Sequence, residues 1–439
     1  MFSAPDEQSD LRRSLRLYRL AAPFVIGLLA PGFLRRLLKR GGYREHFNQR
    51  FGLFTNQERV FLSSHLWTWI RSISVGETLV AIKLAKALRA ADPEIRIAIS
   101  ITTSTGYALA AKEACDWLFV FYNPVDTCSA VRRVLNIFRP TRLILIEGEI
   151  WPNLMNACLQ ANIPVMLANA RLSPRSARRF AKFKRWTSPF FKLLKWVAIP
   201  DEEDRCRWES LGVPQERIHL TGSIKFDQAG VETNRQAEFS TLLQKSGVEK
   251  KGPLLVAGST HDGEEEILLD CFHLWHKKYP ALRMLIAPRH VERIPAILKN
   301  LQSSNTAIIL RSALPLSTPW DVAILDTTGE LRDWYFFATV AFVGKSLTAK
   351  GGQNPVEPAL AGKPVVFGPH MENFQSVATL LLEGGGALQA TSGAHLTEIV
   401  DALLSDSDAR QRMGTNAKSL LLKHHGSAKR TAELVLETA

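Results

Sequence analysis

The chain has 439 residues, 46% of them hydrophobic, and a net charge of +13, which is typical of a globular protein with two or three domains. Its five cysteines are scattered with no CxxC pair, which argues against a disulfide framework or a zinc site and indicates a reducing compartment. No GxxxxGK(S/T) motif is present, so the chain is not a P-loop NTPase.

The positive charge is concentrated in two segments. Residues 1–40 carry eight Lys/Arg against three acidic residues, and residues 171–196 carry nine Lys/Arg and no acidic residue. The segments contribute +5 and +9, which leaves the remainder at −1. A basic excess confined to two patches indicates an anionic partner, either phospholipid or nucleic acid.

The first basic segment predicts a membrane anchor. Residues 20–34 are uncharged and mostly apolar, with arginines on both sides. A spanning helix needs about 20 apolar residues, so we expect residues 1–40 to form an anchor that barely spans the bilayer or lies in its interface, with the rest of the protein in the cytoplasm. A secretory signal is disfavoured because no A-x-A-like cleavage site follows. A buried helix of the first domain is the alternative.

From residue 60 onward, apolar strands alternate with helical segments, as in a doubly wound parallel sheet. This alternation of strands and helices is interrupted after Gly222 and resumes at Pro253. The predicted fold class is therefore α/β, with two Rossmann-like halves joined near residues 228–235. The predicted strands are 66–73, 95–101, 117–121, 142–146, 164–168, 196–199, 254–257, 283–287, 306–310, 321–325, 340–343 and 364–367.

The first predicted strand ends in a turn that places a carboxylate at the start of a helix. The strand breaks at Ser74 to Gly76, and apolar residues then recur at helical spacing. Glu77 therefore lies at a helix N-terminus, where the dipole and free N–H groups favour negative charge and would tend to keep it ionised. A simple capping residue and a functional carboxylate both fit this position.

Ligands of open α/β sheets bind outside the carboxyl ends of the strands, so polar residues after strands are candidates. Glu147 and Glu149 follow the fourth predicted strand, although charges there can simply face solvent. Thr102 to Gly106 could hold an anion or act as a plain N-cap. Lys225 lies at the junction of the halves, where a lysine could neutralise a leaving phosphate or be exposed.

The second basic segment interleaves cations with aromatic residues, and we expect Pro189 to split it into two short helices. Such helices suit a phosphate-bearing amphiphile, because the rings enter the headgroup boundary while the cations meet phosphates. Single-stranded nucleic acid and a solvated basic face over a core helix are the alternatives. The candidate docking residues are Arg171, Arg175, Arg178, Arg179, Lys182, Phe183 and Trp186.

Strand ends of the second half carry residues suited to a nucleotide. Arg289 suits a phosphate or a carboxylate, Gly329 and Glu330 offer N–H groups, and Glu357 can accept two ribose hydroxyls. Each feature is ordinary alone, but together they predict a nucleotide pocket. The histidines show no metal spacing.

With these residues identified, the chain from about Tyr43 to its C-terminus resembles the 3-deoxy-D-manno-octulosonic acid (Kdo) transferases, lipid A-modifying glycosyltransferases of Gram-negative-type bacteria. The matching motifs occur in the family's order. They are SVGE at 74–77, TTSTG at 102–106, EGEIWPN at 147–153, NARLS at 169–173, KFD at 225–227, GSTH at 258–261, PRH at 288–290, GEL at 329–331 and NPVEP at 354–358.

The resemblance implies a GT-B fold, in which two Rossmann-like domains face a central cleft. The domains would be an acceptor domain at 41–229 and a donor domain at 230–439, after the anchor at 1–40. The implied reaction transfers Kdo from CMP-Kdo to a lipid A precursor (lipid IVA) with inversion, at the cytoplasmic face of the inner membrane. It implies no cofactor, no metal at the reaction centre and no nucleic-acid partner.

Roles follow by match to the family's motifs. Glu77 would be the general base, and Glu147 and Lys225 would assist the transition state. The residues that would line the CMP site are Pro288, Arg289, Thr328, Gly329, Glu330, Asn354, Pro355, Val356 and Glu357.

Three positions depart from the family's pattern: Arg71 replaces a usual histidine, Gly148 a usual threonine and Gln353 a usual histidine. None removes a proposed catalytic carboxylate.

A GT-B enzyme with another donor, such as a UDP-sugar transferase or an epimerase, would share the fold, but the motif at 147–153 argues against it. A non-enzymatic nucleic-acid or membrane-binding protein would explain the charge but not the carboxylates at strand ends. The retained motif residues argue against an inactive homologue.

Overall fold

The computed structural model describes residues 8–22, 46–227, 235–246, 252–301, 306–315 and 320–438. The chain divides into two compact units, of which unit 1 comprises Met1–Asp227 and Gly426–Ala439, and unit 2 comprises Gln228–His425. Each unit is a parallel α/β structure, so the predicted fold class of two Rossmann-like halves is confirmed at that level.

In the described part of unit 1, seven parallel strands form one sheet in the order β3-β2-β1-β4-β5-β6-β7. The strands are β1 (Trp67–Ser72), β2 (Ile97–Ile101), β3 (Leu118–Tyr122), β4 (Pro140–Ile146), β5 (Val165–Ala168), β6 (Leu194–Ile199) and β7 (Ile218–Leu220). The helices, numbered in chain order, are α1 (residues 8–22), α2 (Asn56–Ser63), α3 (Val75–Ala91), α4 (Ser104–Ala111), α5 (Cys128–Phe138), α6 (Pro152–Gln160), α7 (Pro174–Lys182), α8 (Lys184–Phe191), α9 (Arg205–Ser210) and the C-terminal α18 (Ser427–Glu437).

The described part of unit 2 repeats this plan with strand order β10-β11-β9-β8-β12-β13-β14. Its strands are β8 (Leu254–Thr260), β9 (Arg283–Pro288), β10 (Ile308–Leu310), β11 (Val322–Ile324), β12 (Val340–Val343), β13 (Val365–Phe367) and β14 (Ala387–Gln389). Its helices are α10 (Gln236–Lys245), α11 (Glu264–Lys278), α12 (Ile294–Leu301), α13 (Leu331–Tyr335), α14 (Val356–Leu360), α15 (Gln375–Glu383), α16 (Gly393–Ser405) and α17 (Ser407–Leu422).

Both faces of the unit 1 sheet are buried, as expected for parallel strands covered by helices. Every residue of β1 is buried. Successive side chains of a strand point to opposite faces, and accordingly Trp69 belongs to one core cluster and Ile70 to the other. The apolar run that predicted β1 is therefore continuous rather than alternating.

The C-terminal helix belongs to unit 1, whereas the sequence had placed residues 426–439 with the second domain. Ala432 and Val435 of α18 join the core cluster of Ile70 and Val80. Asp227 fastens this return, because its carboxylate accepts hydrogen bonds from the N–H groups of Gly426 and Ala428 at 2.8 Å and 2.7 Å. Sequence pattern missed this because α18 follows the second half directly along the chain.

The first basic segment is partly described. Leu11 and Leu15 of α1 are buried in a core cluster of unit 1, so this part of the predicted anchor packs on the protein. Most of the apolar run at residues 20–34 lies outside the described residues. Among the helices that the structure describes, none is long and apolar enough to cross a membrane.

Residues 174–191 form two helices, as predicted, but the break is not at Pro189. The backbone leaves the helical conformation at Phe183, with φ −110° and ψ 25°, and Pro189 lies inside α8. Proline has no N–H to donate to the carbonyl four residues before it, so α8 lacks one intrahelical hydrogen bond at this position.

Candidate active site

Glu77 is fixed at the carboxyl end of β1 by reciprocal hydrogen bonds. The Ser74 hydroxyl accepts from the Glu77 N–H at 3.3 Å and donates to Glu77 Oε1 at 2.8 Å. The N–H groups of Ile73 and Ser74 donate to the same carboxylate at 2.9 Å and 3.3 Å. This capping box holds a carboxylate that is only 9% exposed.

The environment raises the pKa of Glu77 to about 6. Burial is the main cause, and the charges of Glu147 and Glu149 add to it, while the hydrogen bonds from Ser74 and Ile73 oppose it. Burial therefore opposes the predicted tendency of the helix N-terminus to keep Glu77 ionised, because the loss of water outweighs the favourable donors and raises the pKa. A carboxyl group whose pKa is near neutrality is suited to accept a proton in a reaction.

Glu147 and Lys225 lie beside the Glu77 turn. Lys225 Nζ is 3.6 Å from Glu147 Oε1 and 3.6 Å from the position that a Cβ on Gly76 would occupy. The ammonium group is thus next to the first turn of α3. The structure therefore brings together in unit 1 the three predicted catalytic residues, Glu77, Glu147 and Lys225.

Glu147 has a left-handed backbone with φ 68°, which a non-glycine residue adopts at a cost of about 1–3 kcal/mol. Its N–H donates to Ala168 O and its carbonyl accepts from the Arg171 N–H, both at 3.0 Å. A Cβ on Gly148 would stand 3.2 Å from Arg171 O, so glycine fits this close approach. The left-handed turn and its backbone hydrogen bonds therefore fix the position of Glu147 directly after β4.

Arg71 lies behind the loop that follows β4 and is only 4% exposed. Its guanidinium is 5.0 Å from the centre of the Trp151 ring. Burial lowers the pKa of Arg71 to about 10, and Asp126 and Glu149 partly offset that loss. Partial burial raises the pKa of Glu149, and the charge of Arg71 opposes this rise. The side chain of Glu149 still contacts solvent.

Asp126 anchors the far end of the same loop, and sequence reasoning did not identify it. Its carboxylate accepts from the N–H groups of Asn153 and Leu154 at 3.0 Å and 2.9 Å, which caps α6 in place of the non-capping Trp151. The Asn153 side chain donates back to Asp126 O at 2.7 Å. No local motif marks Asp126, because its partners lie on a different strand-to-helix connection.

Residues Thr102–Gly106, which the sequence offered as a possible anion site or N-cap, make structural hydrogen bonds. Thr103 caps α4 by accepting from the Gly106 N–H at 3.2 Å. Asn123 donates to Thr102 Oγ1 at 2.8 Å and to Ser72 O at 2.6 Å. These bonds tie together the carboxyl ends of β1, β2 and β3, beneath the Glu77 turn.

The backbone that carries Lys225 is held by a second lysine. Lys83 Nζ, from α3, donates to Lys225 O at 3.2 Å and to Asp227 O at 2.7 Å. Burial lowers the pKa of Lys83, and Asp227 opposes this. The KFD motif thus combines a side chain at the site, Lys225, with a structural acid, Asp227.

The predicted docking residues share an exposed surface on and before α7 and α8, and all seven are exposed. Phe183 and Trp186 are 50% and 39% exposed. The Lys182 ammonium is 6.0 Å from the Phe183 ring centre, and the Arg185 guanidinium is 5.9 Å from that of Trp186. We call this set, residues 171–186, the basic-aromatic surface.

In unit 2, several predicted donor-site residues lie at one edge of the sheet. Arg289 follows β9, and the turn containing Thr328 and Gly329 follows the neighbouring β11. The Arg289 N–H donates at 3.1 Å to Thr260 O, at the end of β8. Gly329 has φ 80°, and nothing lies within 4 Å of a Cβ built on it, so this turn is open on its outer side.

The NPVEP motif forms the first turn of α14. Asn354 Oδ1 accepts from the Val356 N–H at 3.1 Å, and its amide donates to Glu357 Oε1 at 3.4 Å; Pro355 precedes the helix. Burial raises the pKa of Glu357, while Arg332, Asn354 and Arg289 oppose the rise. The carboxylate of Glu357 and the guanidinium of Arg289 therefore act on each other.

The side chain of Glu330 is already engaged. Arg311 Nε is 3.0 Å from Glu330 Oε2, and both side chains are 10% exposed. Arg235 Nη2 lies 3.5 Å from Glu330 Oε1. A ligand would therefore contact Glu330 through its backbone, at the start of α13, rather than through its side chain.

The structure adds one organising carboxylate in unit 2, Glu264. It is fully buried and accepts from the N–H groups of Lys345, Ser346 and Leu347 at 2.7, 2.9 and 2.9 Å. These bonds fix the loop after β12. The first turn of α11 carries three consecutive glutamates, Glu264 to Glu266, of which the first two are buried, so composition alone could not single out the one that holds this loop.

Comparison with known proteins gives consistent matches. A sequence model described as 3-Deoxy-D-manno-octulosonic-acid transferase (kdotransferase) matches residues 45–228. The 3-deoxy-D-manno-octulosonic acid transferase of Haemophilus influenzae is 33% identical over 93% of this chain and 93% of its own length. The Bordetella pertussis protein of that name is 30% identical over 95% and 97%, respectively. The C-terminal CMP-Kdo binding domain of WaaA from Acinetobacter baumannii is 28% identical, covers 42% of this chain and 97% of that domain, and aligns with a TM-score of 0.40.

Proposed function

Since this chain belongs to the 3-deoxy-D-manno-octulosonic acid (Kdo) transferase family, we propose that it transfers Kdo from CMP-Kdo to a hydroxyl of a lipid A precursor such as lipid IVA, with inversion at the anomeric carbon. In this proposal, Glu77 is the general base. The observation that carries it is the buried Glu77 carboxylate with a pKa of about 6, held in a capping box beside Glu147 and Lys225.

The proposed chemistry begins with the acceptor. Glu77 takes the proton from the attacking hydroxyl as the new bond to the anomeric carbon forms and the bond to CMP breaks. A positioned base of this kind contributes typically about 10²–10⁴-fold. The capping bonds from Ser74 and Ile73 keep the carboxylate in one orientation, which supports this role because a base must be aligned with its proton.

Glu147 and Lys225 assist the transition state in the proposal. An oxocarbenium-like sugar carries positive charge, which Glu147 can stabilise, while the phosphate of departing CMP gathers negative charge that suits Lys225. The two groups lie 3.6 Å apart. The left-handed backbone at Glu147 supports a functional role, because strain of this kind concentrates at active sites.

We assign donor binding to unit 2. Glu357 is proposed to accept the ribose hydroxyls and Arg289 to meet the phosphate, with the open turn at Thr328 and Gly329 supplying N–H groups. Neighbouring strand ends carry these groups, which supports the assignment. In the GT-B arrangement that we adopt for the family, such a donor domain works with an acceptor domain, and no metal or cofactor takes part.

We further propose that the basic-aromatic surface meets the phosphorylated glycolipid and the anionic inner membrane from the cytoplasmic side, together with an anchor supplied by the apolar run at residues 20–34. Exposed rings at Phe183 and Trp186 beside exposed cations support a membrane partner, since rings and cations fit the headgroup boundary.

A donor-resolved transfer assay tests the proposal. Full-length protein in detergent would receive a tetra-acylated lipid A precursor with CMP-Kdo generated in situ, and separate reactions would receive UDP-sugars. The proposal predicts products heavier by one or more Kdo units, with CMP released, and the mass also gives the number of transfers. Turnover of UDP-sugars without any Kdo transfer would refute the assigned donor.

A further inference from the structure

Two side chains of α1 reach the loop that carries the proposed catalytic Glu147. Arg19 Nε donates to Asn153 Oδ1 at 2.9 Å, and the Tyr18 hydroxyl donates to the carboxylate of Asp126. Asp126 and Asn153 are the two residues that fasten the start of α6. The N-terminal helix therefore contacts the loop at its anchored end.

The Tyr18 contact is buried and charge-assisted. Asp126 is only 5% exposed, and its carboxylate receives two backbone N–H groups of α6 in addition to the Tyr18 hydroxyl. Tyr18 is itself enclosed, and burial and Asp126 both raise its pKa. A hydrogen bond to a buried carboxylate constrains geometry more than an exposed contact does.

Between its two ends, the 147–153 loop packs through Ile150 and Trp151 on a core cluster of unit 1. At the β4 end, the backbone of Glu147 bonds to Ala168 and Arg171, and the Gly148 N–H donates to Ile146 O at the end of β4. At the α6 end, Asp126 and Asn153 supply the hold. Between them, Trp151 rests near Arg71, which itself faces Asp126 and Glu149. A displacement of Asp126 would therefore also displace the two carboxylates of the loop, Glu147 and Glu149.

We propose that Tyr18 and Arg19 are positioning residues of the active site: through Asp126 and Asn153 they fix the 147–153 loop so that Glu147 stands at Lys225 and Glu149 stands near Glu77. The proposal rests on the proposed roles of Glu77, Glu147 and Lys225. It gives the N-terminal segment a task in catalysis that is separate from any attachment to a membrane.

The test compares Tyr18→Phe and Arg19→Ala with Arg16→Ala, in full-length protein with a micellar acceptor, so that attachment to a bilayer is not needed. Arg16 is an exposed residue of the same helix, so its loss changes the net charge as the Arg19 variant does. We expect kcat to fall about tenfold in Tyr18→Phe and Arg19→Ala with the donor KM within about twofold, because small misplacements of reacting groups are costly. Arg19→Lys should recover part of the loss, and Arg16→Ala should stay within about twofold of wild type.

Hydrogen exchange supplies a readout that does not depend on activity. Peptides covering 147–154 should exchange faster in Tyr18→Phe and Arg19→Ala and remain unchanged in Arg16→Ala. Unchanged exchange in the first two variants would overturn the inference, as would faster exchange with no loss of kcat. If wild type transfers no Kdo, the proposed function fails, while the exchange comparison still decides whether α1 holds the loop.

Discussion

Lys225 Nζ lies 3.6 Å from Glu147 Oε1, and the two side chains remain 33% and 29% exposed. A pair of this kind is not a buried structural ion pair, and its partner Glu147 sits on a strained backbone. Its position beside Gly76 places a cation near a cluster of three carboxylates, Glu77, Glu147 and Glu149. The pair therefore balances charge where the reaction is proposed to develop it.

Removal of the Lys225 charge should lower catalysis more than stability. We expect Lys225→Ala to reduce kcat by about 10²-fold, the usual effect of losing one preorganised charge at a transition state, and Lys225→Arg to retain part of the activity. Lys86→Ala is the matched control, because Lys86 forms an exposed pair with Glu113 at 2.8 Å that contributes little. Steady-state kinetics that show equal losses for the Lys225 and Lys86 variants would remove Lys225 from the mechanism.

The pH profile should report Glu77. The base acts when ionised and its pKa is raised to about 6, so kcat/KM should be constant above that value and fall as the pH drops through it. Ser74→Ala removes a hydrogen bond that lowers this pKa, and should move the inflection to higher pH. Thr55→Ala, which removes the equivalent capping box on α2, should not move it. A profile that is flat from pH 7.5 to about pH 5 would contradict a base with this pKa.

Glu330 and Glu357 should separate stability from nucleotide binding. Glu330→Ala leaves Arg311 buried without its partner, so we expect a loss of about 3–5 kcal/mol in the free energy of unfolding. Asp401→Ala breaks an exposed pair with Lys278 and should cost about 0–1 kcal/mol. Urea denaturation measures both variants.

Glu357→Ala should instead weaken CMP binding by about 10-fold or more, because charge-assisted hydrogen bonds to the ribose are lost. Isothermal titration of CMP into the full-length protein measures the change, with Asp401→Ala again as the control. Unaltered CMP affinity in the Glu357 variant would show that the ribose is held elsewhere.

The basic-aromatic surface should bind anionic vesicles. Replacing Arg175, Arg179 and Lys182 together by glutamine should weaken cosedimentation with phosphatidylglycerol vesicles by about 100-fold at low salt, since each cation near such a surface contributes about 1 kcal/mol. Glutamine at Lys86, Lys112 and Arg132 makes the same charge change and should have little effect. The difference should shrink as salt is raised. Tighter binding of the wild type to single-stranded RNA than to the vesicles would favour the nucleic-acid alternative.

The sequence predicted the elements well because periodicity and turn residues act locally. It placed Glu77 at a strand-to-helix turn and Glu147 at a strand end. These two residues come close together because β1 and β4 are neighbouring parallel strands whose carboxyl ends lie side by side. The edge strands β7 and β14 were missed, since only the first residue of each is buried and neither forms an apolar run. The return of α18 to unit 1 depends on Asp227, a contact between distant parts of the chain.

Electrostatic detail was the least predictable part. The helix N-terminus at Glu77 favours the ionised form. Burial and two neighbouring carboxylates, which act only after folding, nevertheless raise the pKa of Glu77. Asp126 and Tyr18 carry no motif, and their roles follow from packing around Arg71. The engagement of Glu330 by Arg311 likewise required three-dimensional information.

The most direct test of the account is the transfer of Kdo by wild type and Glu77→Ala, with in situ CMP-Kdo, a tetra-acylated lipid A precursor and products separated by mass. The account predicts that the variant binds CMP normally and loses at least about 100-fold in kcat, because its general base is gone. Equal activity of the two proteins would contradict the account, reduce Glu77 to a helix cap and move the search for the base to Glu147 or Glu149.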